Sequence, residues 1–196
     1  MNKINSFEQL LESIQETPRK QSTLLIGIDG CGGSGKSTVA AKIKEKLPNV
    51  TVVHMDDFYL PSGQLLDIPS KEKPVGADVD WKRVLSQVIE PISQNKEGHY
   101  QRYDWVSDSL AEWHIVPVGE VVVIEGVYAT RKELRDFYDL TIWVNTPRET
   151  RLSRGLERDG EEARDRWEND WMVSEDVYVA QHRPQEHVDV VIDGTR

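Results

Sequence analysis

Apolar residues along this chain follow two rhythms, and the rhythms alternate. Short near-continuous apolar runs recur at Thr23-Leu24-Leu25-Ile26-Gly27-Ile28-Asp29, Val50-Thr51-Val52-Val53-His54-Met55, Val121-Val122-Val123-Ile124-Glu125-Gly126, Leu140-Thr141-Ile142-Trp143-Val144-Asn145 and Val188-Asp189-Val190-Val191-Ile192. Runs of this length with few polar interruptions predict strands buried on both faces, as in a parallel sheet. Between them apolar residues recur every three or four positions. Val39, Ile43 and Leu47 predict a helix after the first strand. Trp81, Val84, Leu85, Val88, Ile89 and Ile92 predict a second, capped by Asp78 or Asp80 and kinked or closed by Pro91. A short helix is expected from Thr130 to Tyr138, and a longer one from Arg166, with Trp167, Trp171 and Tyr178 as a packing stripe.

Ahead of the first strand, Phe7, Leu10, Leu11 and Ile14 fall on one face of a helix from Ser6 to Gln15. Ser6 and Gln9 have capping-box spacing. This face packs on the outside of the domain; a contact between copies, giving a homo-oligomer, is its alternative use. Strand and helix in alternation predict one three-layer α/β domain over 1–196, with a parallel sheet of about five strands and helices on both faces. Residues 1–22 form an N-terminal helix and linker. Leu60 to Asp78, rich in Pro, Gly, Ser and Lys, reads as a binding or lid loop.

Composition narrows the function class. With 196 residues the chain is long enough for a sizeable core, and 38% hydrophobic against 30% charged residues suits a water-facing surface. A net charge of −10 argues against a nucleic-acid partner, whose phosphates need Lys/Arg surfaces. No apolar run reaches membrane-spanning length, and the N-terminus lacks an apolar signal region. A single cysteine, Cys31, allows no internal disulfide, and the natural compartment is the cytoplasm.

The chemistry concentrates at the ends of the predicted strands. Gly30-Cys31-Gly32-Gly33-Ser34-Gly35-Lys36-Ser37 reads G-x-x-x-x-G-K-[ST] between a strand and a helix, the setting of a phosphate-binding loop. Its amides and the helix N-terminus with Thr38 cradle an anion, Lys36 reaches the β- and γ-phosphates, and the Ser37 hydroxyl sits on Mg²⁺. Asp56 and Asp57 end the next strand, on the side where ligands bind in open parallel sheets. A carboxylate there accepts the proton of an attacking hydroxyl or holds Mg²⁺ through water. Glu125 ends a later strand and acts through water on Mg²⁺ or on the acceptor. Six arginines crowd into 148–166 of an otherwise acidic chain, and Arg151, Arg154 and Arg158 share one helix face. They close a lid over about 154–170, or simply lace a solvated helix with ion pairs.

The loop, followed by a strand ending in Asp56-Asp57-Phe58-Tyr59, resembles the uridine kinase and phosphoribulokinase family, to which nicotinamide riboside and pantothenate kinases are related. The resemblance runs from about Leu24 to Gly194. It implies ATP and Mg²⁺ as cofactors and a hydroxyl of a small, nucleoside-like molecule as acceptor. Asp56 takes the position of the general base. Asp57 stands where nicotinamide riboside kinases carry a second Asp, and Tyr59 belongs to the same motif. Tyr103-Asp104-Trp105 matches a motif lining the acceptor pocket. Asp108 and Leu110 replace the His and Arg that follow in uridine kinases, so Asp108 favours a ligand with donor groups or positive charge. Glu125-Gly126 is carried by the family. Arg151-Leu152-Ser153-Arg154-Gly155-Leu156-Glu157-Arg158-Asp159 resembles its arginine lid, with Arg158 on the transferring group and Arg151 and Arg154 as helpers.

Two rival readings remain. A P-loop GTPase or ATPase switch needs an Asn-Lys-x-Asp base reader, and Asn95-Lys96-Glu97-Gly98 fails at the last position. A non-catalytic nucleotide-binding regulator on the same fold has no use for an intact Lys36, Ser37 and Asp56.

Overall fold

The computed structural model describes residues 2–4 and 6–195. Its centre is a sheet of six strands, all parallel, in the order β1-β8-β7-β2-β6-β3. These are β1 (Asn2–Ile4), β2 (Leu24–Asp29), β3 (Val50–His54), β6 (Val121–Glu125), β7 (Leu140–Asn145) and β8 (Val190–Asp193). The five expected strands are all present. The sixth, β1, pairs with β8 at the edge and lies inside the segment read as helix and linker. Three residues are too few to show a period. β4 (Gly98–Asp104) and β5 (Ser109–Val116) form a separate antiparallel hairpin.

β2 explains the layering. All six of its residues are buried. Leu24, Ile26 and Ile28 face the core beneath helices α1 (Phe7–Glu16) and α2 (Lys36–Lys46), with Leu10, Ile14, Ala40 and Ile43. Leu25 faces the opposite core, with Val53, Phe58, Val122, Ile124 and Tyr178. This is the period-two alternation of a strand covered on both sides. α1 begins as its capping pair predicts, with the Ser6 hydroxyl accepting from the Gln9 N–H. Leu10 and Ile14 are spent on this domain's own core.

Helix α3 covers 81–93, with Asp80 as its cap, accepting from the Arg83 N–H. A π-type turn, Leu85–Ile89, precedes Pro91, whose ring cannot donate to the turn before it. Helix α4 (Arg148–Asp159) ends at Gly160, φ 90°. Helix α5 spans 164–182 and also contains a π-type turn, Trp167–Trp171.

The expected helix from Thr130 to Tyr138 is not formed. Only a 3₁₀ turn, Arg135–Phe137, is regular there. The Thr130 N–H and hydroxyl are drawn instead to the carboxylate of Asp29, at 2.8 and 3.0 Å, and Tyr128 has φ 73°. The loop between Tyr59 and Asp80 is closed at its base by Leu60 N–H to Asp78 C=O and Asp80 N–H to Phe58 C=O.

Candidate active site

After β2 the chain proceeds to β3 on one side of it, while β7 and β8 extend the sheet on the other. Such a switch point leaves a crevice at the carboxyl ends of the strands. There lies a cavity of about 600 Å³. Its lining includes Gly32, Gly33, Gly35, Lys36, Ser37 and Thr38 of the loop and α2, together with Tyr59, Lys73, Asp78, Trp105 and Trp171. Asp56, Glu125, Arg154 and Arg158 lie on its wall.

The phosphate loop takes its shape from backbone that only glycine supplies. Gly33 has φ +74°, and a Cβ there would stand 2.4 Å from the Arg151 carbonyl oxygen. A Cβ on Gly32 would meet Glu175 at 2.9 Å and Trp167 at 3.0 Å. Gly35, φ 100°, caps α2 in the left-handed region. The Lys36 ammonium donates to the Cys31 carbonyl at 3.0 Å across the loop. Gly30 and Ser34 form the floor rather than the lining. The Gly30 N–H donates to Asp29 at 2.7 Å, and the Ser34 hydroxyl is buried with no partner among the described residues. Burial pushes the Cys31 thiol up to about 12, so it stays protonated beside the loop.

Beneath the loop, Asp29 is fully buried. It also accepts from the Tyr178 hydroxyl at 2.6 Å, which ties α5 to the end of β2. Its pKa is raised, chiefly by burial.

Asp56 sits on a 3₁₀ turn, Met55–Phe58, just past β3, and opens into the cavity. Crowding by protein atoms raises its pKa, nearby Glu125 raises it further, and Lys36 pulls it down. Asp57 points elsewhere: its carboxylate accepts from the Tyr100 hydroxyl on β4 at 2.9 Å and is absent from the cavity lining. Glu125 is buried at the end of β6 and accepts from Ser37 Oγ at 3.1 Å and from His54 Nδ1 at 2.5 Å. Burial works to raise its pKa. The His54 hydrogen bond, Lys36 and Ser37 outweigh that and leave it lowered.

Ser37 and Glu125 are hard oxygen donors, the type a magnesium ion takes. Among the described residues no group of three or more His, Cys, Asp or Glu side chains could hold a metal. The glycine cradle beside Ser37 and Glu125 fits a polyphosphate.

Three of the four arginines of α4, Arg151, Arg154 and Arg158, have separate tasks. Arg151 is buried, donates to Glu175 at 2.9 Å and to the Thr146 carbonyl at 3.2 Å, and is absent from the lining. Arg154 donates to the carbonyls of Gly33 at 3.3 Å and Gly194 at 2.9 Å. Arg158 grips Asp159 with both ends of its fork, at 2.7 and 2.9 Å, and its charge acts on Asp56. A missing partner for the buried Arg151 or Glu175 costs roughly 3–5 kcal/mol in comparable buried pairs.

Among the aromatic residues of the lining, the Tyr59 and Trp105 rings lie 4.6 Å apart between centroids. Tyr103 is buried behind Trp105 at 5.0 Å, outside the lining. Asp108 is also outside. Its carboxylate accepts from the Tyr103 hydroxyl at 2.7 Å and the Ser62 N–H at 2.8 Å, and so joins the hairpin to the loop after Tyr59. Its oxygens serve the fold, so the expected contact with a ligand is not what the geometry provides.

Further residues line the cavity, among them Asp78 and Trp171, which the sequence pattern assigns to a helix cap and a packing stripe. Lys73 and Asp78 pair at 2.9 Å within the cavity wall. Arg166 and Trp171 come from α5 with the guanidinium over the ring at 5.6 Å, and Glu175 reaches the loop from the same helix. The visible signal was a Trp stripe on α5, which also reads as packing. Trp167, buried against Gly155, fulfils that role.

The Phosphoribulokinase / Uridine kinase family model matches residues 25–192. A uridine kinase of Borrelia hermsii is 33% identical over 144 residues, covering 69% of this chain and 66% of that protein. One from Alkaliphilus metalliredigens is 31% identical over 148 residues, covering 71% and 69%. The chain thus spans just under two thirds of the Borrelia hermsii protein. A solved structure of a possible uridine kinase from Bacillus stearothermophilus superposes with a TM-score of 0.76 at 23% identity, covering 95% of this chain and 97% of that one, which demonstrates a common fold. The chain belongs to the phosphoribulokinase/uridine kinase family.

Proposed function

We propose that this protein is an ATP-dependent kinase that transfers the γ-phosphoryl group to a hydroxyl of a small, nucleoside-like molecule. One observation carries the reading. Asp56 lines the same cavity as the glycine-rich loop with Lys36 and the aromatic residues Tyr59, Trp105 and Trp171. The loop amides and Lys36 hold the phosphates. The acceptor hydroxyl oxygen bonds to the γ-phosphorus as the bond to the β–γ bridging oxygen breaks, and ADP leaves. Asp56, ionised above its raised pKa, takes the hydroxyl proton. Arg158 offsets charge on the transferring group. Ser37 and Glu125 would hold Mg²⁺, which supplies charge neutralisation at the β- and γ-oxygens when bound.

The acceptor end favours a flat ring bearing polar groups. Tyr59, Trp105 and Trp171 offer stacking faces, and the Lys73–Asp78 pair offers a donor and an acceptor. The nucleoside reading also follows what the two relatives are called.

A coupled ADP-release screen over nucleosides, other ribosides, sugars and pantothenate-like alcohols tests this. Acceptor-dependent ADP release with a phosphorylated product is expected. GTP hydrolysis faster than ATP turnover with no acceptor would favour the switch. Tight ATP binding with no acceptor phosphorylated would favour a regulator.

A further inference from the structure

Three successive residues of the phosphate loop are fastened from outside. The Gly32 N–H donates to Glu175 Oε1 at 2.6 Å. The Gly33 Cα lies against the backbone of Arg151. The Ser34 carbonyl accepts from the Thr146 hydroxyl at 2.9 Å. Arg151 links the other two fasteners, donating to Thr146 through Nε and to Glu175 Oε2 through Nη1. Glu175 alone among these fasteners both carries negative charge and lines the cavity. A bare carboxylate so close to an anion site would repel phosphate. A bare guanidinium there would attract it. With 8% and 5% side-chain exposure the two charges have little solvent to screen them, so each one's effect on the loop depends on the other.

We propose that Arg151 and Glu175 form a charge-cancelling clamp on the phosphate loop: Glu175 positions the Gly32 amide and neutralises Arg151, so that Arg151 itself does not contact the nucleotide. Glu175 is a positioning residue, and the clamp sets how tightly the loop holds phosphate. The inference rests on the reading of the loop as a phosphate site and requires no phosphoryl transfer. It reassigns Arg151 from phosphate ligand to support, leaving Arg154 and Arg158 on the cavity wall to meet the phosphates.

Calorimetric titration with pyrophosphate, ADP and adenosine, magnesium present throughout, tests it on the full chain. Glu175→Gln keeps an acceptor for the Gly32 N–H and exposes the Arg151 charge. It is expected to tighten pyrophosphate and ADP by about tenfold. Arg151→Met leaves the carboxylate uncompensated and should weaken both by about tenfold. The double variant restores neutrality and should return within about threefold of wild type. Adenosine, which has no phosphate, should bind all four proteins alike.

A purely structural pair would weaken phosphate binding in both single variants. An Arg151 that contacts phosphate would leave the double variant as weak as Arg151→Met. Either result overturns the proposal. Should Glu175→Gln fail to fold, the comparison of Arg151→Met with the double variant still decides it. Pyrophosphate carries no base and needs no acceptor, so a failed kinase screen leaves this result standing.

Discussion

The Ser37 hydroxyl donates to the Glu125 carboxylate across 3.1 Å, joining the first turn of α2 to the end of β6. Two residues 88 positions apart thereby place hard oxygens beside the phosphate loop. Glu125→Gln keeps the size of the side chain and removes its charge. It is expected to raise the magnesium concentration for half-maximal turnover by about tenfold. A magnesium titration of ADP release checks this; an unchanged midpoint would take Glu125 away from the ion.

His54 shares that carboxylate, and the sharing gives stability a pH dependence. The hydrogen bond to Glu125 raises the His54 pKa above its ordinary 6.5 despite partial burial. The folded state therefore binds the proton more tightly than the unfolded chain. The stabilisation is fully present below 6.5 and fades as pH rises through the higher folded value. In magnesium-free buffer, Tm should fall over that interval in wild type, and His54→Gln should flatten the fall. Parallel Tm curves would contradict this.

Gly33 has no room for a side chain, since a Cβ would press on the Arg151 carbonyl at φ +74°. Gly33→Ala must shift either the loop or α4. It should weaken ADP binding by about a hundredfold. Equilibrium titration with ADP checks it, and affinity close to wild type would mean that the loop tolerates another shape.

The aromatic side of the cavity yields a contrast between two residues. Trp171 lines the cavity, whereas Asp108 is engaged by Tyr103 and Ser62 outside it. Trp171→Ala should raise the acceptor KM by about tenfold, and Asp108→Asn should leave it within about threefold. Steady-state kinetics with an acceptor from the screen separates them. The reverse order would return Asp108 to the ligand.

The donor half of this site was legible because backbone writes it into sequence. Gly30 to Ser37 needs glycines at fixed places, and Asp56 and Glu125 follow apolar runs that mark strand ends. The sheet was legible for the same reason, as Leu24 to Asp29 is apolar enough to be covered on both faces. The clamp was not. Gly32 and Glu175 stand 143 residues apart, and no local pattern joins them. Arg151, Arg154 and Arg158 do share a spacing, but spacing says nothing of which guanidinium meets a carboxylate. The β4–β5 hairpin was hidden by a register shift between Gln101 and Tyr103 and by exposed Trp113 and Ile115, which blur its alternation. Tyr103 and Asp108 lie in this hairpin, and there the expected ligand contacts give way to contacts within the fold.

Asp56→Asn removes the proposed proton acceptor and little else. With ATP, magnesium and an acceptor from the screen, single-turnover transfer should slow by about a thousandfold, while ADP affinity stays within about threefold of wild type. Transfer within about tenfold of wild type, with ADP still bound, would remove Asp56 from the chemical step.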